Sequence, residues 1–576
     1  MKRFMKRPSV KYALPALVML VVGTLLGMKI ERSLDDQDTL DQLEKLRNAF
    51  MMVNQRYVEE VDAEKAARHA IEGMLDGLDP HSTFIPAQKA EEVKQNYKGS
   101  FGGVGIWYDV VHDTAQVIRP IADGPSEKEG VMSGDRIIEI NDSTAIGLSR
   151  QGVQDKLKGP KGTTVDVTIE RPGIEKRYHF TIERDEIPLR SVHSAFMVDE
   201  KTGYVEIGRF SMKTYEEFMK AMKKLEGQGM ERLVLDLRGN PGGVMQSAVK
   251  IADELLSEGQ TIVKTKGRKP KANQSFASSA GGSFEKPPVI VLVNPFSASA
   301  SEIVSGALQD HDRALIMGQR TFGKGLVQKQ FNLPDESVLQ MTVARYYTPA
   351  GRLIQTPYEN GNEKDYYEEK FGSLDEATYD ASEYAEGIPD SLVYRTAHGR
   401  KVFGGGGILP DVIVPPDTSG VLHYVRQSGV QNQFLNRWFT ERETELRDEW
   451  TDRSEAFISD YTVSDETVDA FWSYADEEEG LTLTDKPDAV DPDSGVFLRS
   501  DAEANEQTVK TYLKYGIGSK LYGTRATRRI WLRADDTFQK ALSHWNRASE
   551  LAAHGPGGPG GPAAAGADRS SPSPDQ

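Results

Sequence analysis

Apolar residues along this chain change their spacing several times, and each change marks a new kind of element. From about Thr39 to Gln88 the pattern is helical, with Leu43, Leu46, Phe50 and Val53 recurring at intervals of three and four. It contains Gly73-Met-Leu-Asp-Gly-Leu-Asp-Pro-His-Ser82, whose Gly and Asp-Pro signals predict a turn. From about Glu92 to Arg184 short β-like runs, among them Ala115–Ile118, Arg136–Ile140 and Thr164–Ile169, alternate with glycine turns. From Ile187 to about Pro416 apolar strands alternate with helical patterns, which predicts an α/β sheet. Leu233–Leu237 and Val289–Val293 read as buried parallel strands, and Val244, Ala248, Ile251, Ala252 and Leu255 form one stripe of a helix between them. Helical spacing returns from Gly420 to about Glu550, with Phe434, Leu435, Trp438 and Phe439 and then Val468, Phe471 and Trp472.

Composition narrows the chemistry. The 576 residues hold 70 basic and 87 acidic side chains, a net charge of −17, with 38% apolar residues and no cysteine. This is enough apolar material for several globular cores. Without cysteine there are no disulfides, thiol nucleophiles, Cys-ligated zinc sites or iron–sulfur clusters. The negative balance argues against a nucleic-acid partner, which requires a basic face. Residues 359–390 carry eleven acids and two lysines and read as a solvated insertion whose tyrosines fold it back onto the body. Residues 555–576, with six Gly and five Pro, read as a disordered tail.

The N-terminus addresses the chain to a membrane. Lys2, Arg3, Lys6, Arg7 and Lys11 precede an apolar run from Tyr12 to Met28, and no acid occurs before Glu31. The positive-inside rule then puts the basic flank in the cytoplasm and the rest across the membrane. A single-pass inner-membrane anchor with a periplasmic body is expected, the alternative being a cleaved signal that leaves a secreted protein. The expected organisation is a basic flank and anchor at 1–33, a helical part at 34–90, a β-rich domain at 92–185, and an α/β core at 186–416. A helical extension at 417–554 and the tail follow.

Two groups of motifs carry function. The first is Phe101-Gly102-Gly103-Val104-Gly105 together with Gly134-Asp-Arg-Ile137. Consecutive N–H groups in such a turn can cradle a carboxylate, and a neighbouring strand edge can accept a peptide as an added strand. Alone the turn also reads as a simple hairpin closure. With the later strand and Leu157-Lys-Gly-Pro-Lys-Gly162, the segment resembles a PDZ domain.

The second group is spread over the core: Leu233-Val-Leu-Asp-Leu-Arg-Gly-Asn-Pro-Gly-Gly243, Asn294-Pro-Phe-Ser-Ala-Ser-Ala-Ser-Glu302, Thr321-Phe-Gly-Lys-Gly-Leu-Val-Gln328, Tyr346-Tyr-Thr-Pro-Ala-Gly-Arg352 and Gly407-Ile-Leu-Pro-Asp411. Taken alone, Ser299 with Glu302 is a capping box rather than a nucleophile. Gly318–Gly325 nearly matches a phosphate loop but lacks the hydroxyl at its last position. His311, twelve residues after Ser299, keeps a Ser–His pair open, although Asp310-His-Asp-Arg313 reads as a polar surface loop. Lys324, flanked by glycines in an uncharged setting, can serve as a base if burial lowers its ammonium pKa.

Together these segments, with Leu78-Asp-Pro-His-Ser82, resemble the tail-specific, or C-terminal processing, serine proteases from about Gly73 to Asp411. The resemblance implies an α+β multidomain fold: a small ClpP/crotonase-like β-sheet core with helices, an inserted PDZ domain and, here, a C-terminal helical extension. It implies a Ser299 nucleophile, a Lys324 base and a Gln328 that orients the lysine. Gly242 or Gly243, with Ala300, are the implied oxyanion donors. Ser297 and Ser301 are then turn and helix-start hydroxyls. The implied partners are flexible protein C-termini held at Phe101–Gly105, and a homo-oligomer or an adaptor; neither cofactor nor metal is implied. The insertion and the extension depart from the shortest relatives, and neither is expected to touch the dyad motifs. A catalytically silent, anchored PDZ scaffold or apolar-ligand module is the competing reading.

Overall fold

The computed structural model describes residues 38–358, 366, 388–415 and 420–554, apart from 112, 122–123, 172–173 and 175. The expected anchor, nearly all of the acidic insertion and the 555–576 tail lie outside these residues. Among the described residues no helix is long and apolar enough to cross a membrane.

The chain divides into two compact units, the smaller comprising the described residues up to Phe84. In it the single helical pattern of the sequence is broken in two. Asp62 interrupts it and caps helix α1 (Ala63–Asp76), its side chain accepting from Lys65 N–H at 3.0 Å. The expected turn follows, with the Asp79 carboxylate accepting from His81 N–H and from the Ser82 hydroxyl.

The larger unit begins with a β-rich body. Its strands are β1 (Ser100–Gly103), β2 (Ile106–Val111), β3 (Thr114–Pro120), β4 (Arg136–Ile140), β5 (Thr164–Glu170), β6 (Arg177–Glu183) and β7 (Asp185–Pro188). Strands β2-β3-β4-β5-β6 form an antiparallel sheet in that order, while β1 pairs with β7 as a separate ribbon. Helix α2 (Arg150–Leu157) adds Val153 and Leu157 to a core of Val117, Ile137, Val167 and Ile169.

The α/β core follows with β8 (Val192–Met197), β9 (Thr202–Ile207), α3 (Thr214–Glu226), β10 (Arg232–Asp236), α4 (Met245–Leu255), β11 (Val289–Val293), α5 (Ala300–Asp310) and β12 (Leu315–Gly318). Strands β13 (Leu326–Asn332) and β14 (Val338–Tyr347) form an antiparallel pair beside it, and β15 (Val412–Ile413) closes the main sheet. That sheet runs β8-β9-β10-β11-β12-β15 and is parallel except at β8/β9. Successive side chains of a strand point to opposite faces, and both faces here are apolar. Leu233, Leu235, Val289 and Val291 pack against α3, α4 and α5. Val234, Ile290, Leu292 and Met317 point the other way.

That second face is covered by the C-terminal extension. Helices α6 (Glu506–Tyr522), α7 (Thr524–Trp531), α8 (Asp536–Leu542) and α9 (Trp545–His554) end the described chain. Leu532, Phe538, Ala541, Trp545 and Ala548 are buried against the sheet, each large side chain contributing roughly 2 kcal/mol by burial. The extension also has a core of its own around Phe434, Phe457, Phe471 and Leu513.

The expectation that neither added segment touches the dyad motifs is corrected for the insertion, while the extension reaches the Asp236–Gly243 motif instead. Asp535 of the extension bonds Arg238, inside the Asp236–Gly243 motif, at 2.9 Å. Tyr366 of the insertion meets the Phe322 ring edge-on at 6.3 Å, inside the Thr321–Gly325 motif. Contacts between such distant sequence positions leave no local pattern.

Candidate active site

Strand β11 ends at Val293, and a tight turn delivers the chain into α5 with Ser299 at the cap position. Ser299 has φ +53° and ψ −108°, a sparsely populated conformation that costs about 1–3 kcal/mol and is tolerated where neighbouring structure enforces it. Ser297 and Ser301 are wholly buried, and their hydroxyls donate to the Leu237 and Asn240 carbonyls at 2.9 and 3.0 Å. Ser299 is the partly exposed member of the three.

Two buried side chains hold Ser299 and Lys324 together through their backbones. Glu302 Oε2 accepts from both Ser299 N–H (2.7 Å) and Lys324 N–H (2.9 Å), while Oε1 accepts from the Thr321 hydroxyl and Gly323 N–H, each at 2.6 Å. On the other side the Tyr346 hydroxyl lies 3.0 Å from the Ser299 carbonyl and 2.5 Å from the Lys324 carbonyl. Burial pushes the Glu302 carboxyl upward, and its four hydrogen bonds oppose that shift. Burial, reinforced by the Glu302 charge, holds the Tyr346 phenol well above its ordinary range, so it stays a donor. The capping box read in the sequence is thus one part of a larger clasp. The glutamate's reach to the lysine loop, and the bonds made by the Tyr346 hydroxyl, were not foreseen.

Lys324 Nζ donates to Gln328 Oε1 at 2.8 Å, and Gln340 Nε2 donates to the same oxygen at 3.2 Å. Gln340, from the facing strand β14, therefore fixes which end of the Gln328 amide meets the lysine. Period-two spacing places Gln340 on a strand face, but the pairing register needed to bring it to Gln328 is a tertiary fact.

The glycine turn after β10 lies directly against Ser299. A Cβ on Gly242 would stand 2.7 Å from Ser299 Cβ and 2.9 Å from Ala300 N, and the residue has φ +94°. Its own N–H is committed to Asn240 Oδ1 at 2.9 Å. Among the described residues the N–H groups of Gly243 and Ala300 have no acceptor, in contrast to that of Gly242.

This architecture matches known proteins. Residues 201–367 match Peptidase family S41, residues 26–89 the N-terminal domain of the activating protease CtpB, and residues 93–170 a PDZ domain. The chain is 39% identical over 325 residues to the carboxy-terminal-processing protease of Bartonella bacilliformis, covering 56% of this chain and 74% of that protein. The chain belongs to the carboxy-terminal-processing serine proteases of peptidase family S41. It is also 34% identical to the carboxy-terminal processing protease CtpB of Bacillus subtilis, covering 55% of this chain and 67% of that one. A probable CtpA-like serine protease of Staphylococcus aureus is 32% identical, covering 59% and 68%. The chain is therefore a C-terminal processing serine protease with a PDZ domain.

Two further expectations resolve differently. His311 is not a surface histidine: it ends α5, its Nε2 lies 2.7 Å from the Thr261 carbonyl, and burial pulls its pKa down. The eleven-residue helix separates it from Ser299 by roughly 16 Å, which removes it as a base. Its neighbours Asp310, Asp312 and Arg313 are buried, with Asp310 paired to Arg352 at 2.5 Å. In the PDZ domain, Phe101, Gly102 and Gly103 are paired in the β1/β7 ribbon. Val104 and Gly105 follow it, and among the described residues their N–H groups have no acceptor.

Proposed function

We propose that Ser299 is the nucleophile of this protease, Lys324 its general base, Gln328 the group that orients the lysine, and Gly243 with Ala300 the oxyanion donors. The observation that carries the reading is the shared Glu302 oxygen, which holds the Ser299 and Lys324 backbones side by side. Neutral Lys324 Nζ takes the Ser299 hydroxyl proton as Oγ bonds the scissile carbonyl carbon. The carbonyl oxygen gathers negative charge and is met by the two N–H groups. As the peptide C–N bond breaks, the lysine ammonium returns the proton to the leaving amine. Water, deprotonated by the same lysine, then releases the acyl group from Ser299.

Upstream of this chemistry, the Val104 and Gly105 N–H groups bind the carboxylate of an unstructured tail, which lies along the β2 edge as an added strand. The body works on the periplasmic side of a membrane to which residues 1–33 anchor it; this part rests on the charge asymmetry of the N-terminus. The silent-scaffold reading finds no support in a site that keeps Ser299 strained and Lys324 oriented.

Peptide cleavage by purified variants tests the assignment. Ser299→Ala and Lys324→Ala should each lose activity while keeping the parent's thermal midpoint. Ser297→Ala and Ser301→Ala should keep activity and lose about 1 kcal/mol of stability each. Full turnover by Lys324→Ala would sink the dyad. Amidating the substrate's C-terminus should raise KM without changing the cleavage chemistry.

A further inference from the structure

The C-terminal extension reaches the base of the oxyanion turn. Strand β10 ends at Asp236, and residues 237–243 lead from there to the Gly243 N–H. Asp236 is fully buried and takes Arg238 Nε on Oδ1 at 3.0 Å and Nη2 on Oδ2 at 2.7 Å. The Tyr204 hydroxyl adds a bond to Oδ2 at 2.8 Å. The other edge of the Arg238 guanidinium faces the extension: Nη1 lies 2.9 Å from Asp535 Oδ1 and Nη2 2.7 Å from Asp535 Oδ2. Arg528 of α7 closes the cluster, its Nε 3.1 Å from Glu206 Oε2 and 3.4 Å from the Tyr204 hydroxyl, its Nη2 3.8 Å from Asp236 Oδ2. Burial opposes the Asp236 charge, but Arg238 and Arg528 outweigh it and hold the carboxyl below its ordinary value.

From Arg238 the turn is hydrogen-bonded at Gly239, Asn240 and Gly242. Gly239 N–H donates to Asn294 Oδ1 at 2.9 Å, and Asn240 Nδ2 to the Ile207 carbonyl at 2.8 Å. The Asn240 carbonyl receives Ala298 N–H and the Ser301 hydroxyl, both at 3.0 Å, and its Oδ1 receives Gly242 N–H. A displacement of Arg238 therefore passes to Gly242 and Gly243 with little slack.

We infer that Asp535 and Arg528 are positioning residues for proteolysis: the extension fixes how the oxyanion turn leaves the sheet, and so aims the Gly243 N–H. The inference rests on the reading of Gly243 and Ala300 as oxyanion donors. It gives the extension a catalytic consequence as well as a packing one.

Asp535 also caps α8, accepting from Phe538 N–H at 3.0 Å. Asparagine is an equally good cap, so Asp535→Asn keeps the helix start while it removes the charge facing Arg238 and replaces the Oδ2 acceptor with an NH₂ group. In the full chain this variant should lose about 10-fold in kcat with KM for a tail peptide held within about twofold. Its affinity for a peptide aldehyde, whose adduct on Ser299 carries the oxyanion, should fall in parallel. Asp535→Glu should recover part of both, and Arg528→Lys should show the same split more weakly. Parent values of kcat and aldehyde affinity in Asp535→Asn overturn the inference, as does an equal loss of substrate and aldehyde affinity. Ser299→Ala is the control: if it still cleaves, the site assignment itself fails, whereas a dead Ser299→Ala beside a normal Asp535→Asn rejects the inference alone.

Discussion

Two glycine-rich turns of this chain, Phe101–Gly105 and Gly239–Gly243, are assigned anions in the proposed mechanism, yet they are held in opposite ways. The core turn is fixed by buried groups on every side: Asp236 and Asp535 on Arg238, Asn240 on Gly242, and Ser299 against the Gly242 backbone. The PDZ turn continues from a two-stranded ribbon whose ionic anchor is half in solvent, Glu186 being 33% and Lys213 38% exposed. The difference follows the anions. An oxyanion exists only fleetingly, so its donors must already be in place and must not reorganise. A tail carboxylate binds and leaves as a stable group, and its cradle can be looser.

The contrast breaks most severely at Gly242. In Gly242→Ala the new methyl would meet Ala298 O and Ser299 Cβ at 2.7 Å, from a residue at φ +94°. The left-handed backbone alone costs about 1–2 kcal/mol. The Ser299 loop must also shift, so kcat should fall by at least about 10²-fold and the thermal midpoint should drop. A soluble, active Gly242→Ala enzyme would show that the core turn is as yielding as the other. Glu302→Gln comes next. Whichever way the amide turns, its NH₂ faces two donors that the carboxylate had accepted, and each such bond to a charge is worth about 1.5–3 kcal/mol. Turnover on active-site-titrated enzyme should fall about 10²-fold while tail binding to the PDZ domain stays unchanged.

The sequence was most legible where chemistry is carried by neighbours in the chain. Ser299, Glu302, Lys324 and Gln328 sit in short motifs, and the alternating apolar strands announced the sheet that aims them. The tasks of Tyr346 and Asp535 were illegible for a common reason: their partners lie 47 and 297 positions away, so even Tyr346, which opens the Tyr346–Arg352 motif, shows no local sign of what it bonds. His311 misled because a run of polar residues reads as solvated. Here Asp310, Asp312 and Arg313 are buried, with Asp310 paired to Arg352, Asp312 to Arg400, and Arg313 Nε and Nη2 donating to backbone carbonyls. The extension looked inert because the apolar stripes legible in it, such as Phe434, Leu435, Trp438 and Phe439, build its own core, while Asp535 lies outside them.

A milder probe addresses the PDZ turn itself. A Cβ at Gly105 would stand 3.1 Å from Ile187 Cδ1, a side-chain end that can adjust, and 3.1 Å from Pro125 Cδ, a ring atom held by the backbone, at φ +74°. Gly105→Ala should therefore weaken tail binding about 10-fold, near 1.4 kcal/mol, and raise KM with kcat unchanged. A loss of kcat instead would mean that the two turns are coupled.

The smallest effect is expected at the ribbon's anchor, and its sign follows from proton binding. The Ser100 hydroxyl, 2.6 Å from Glu186 Oε1, and then the Lys213 ammonium, 2.9 Å away, draw the Glu186 carboxyl down from 4.5 to about 2. Between those values the unfolded chain holds more protons than the folded one, so stability rises with pH across the window and is lost as pH falls from 4.5 towards 2. Partial exposure screens the pair, which limits its contribution to below about 1 kcal/mol. Hydrogen exchange of the β1 and β7 amides should accelerate as the parent is acidified through that window, and added salt should reduce the change. In Glu186→Gln the exchange should start faster and respond less to pH. If the variant and the parent respond alike, the ribbon is held by its backbone pairing and not by its charges, and the looser of the two turns owes its character to β-structure alone.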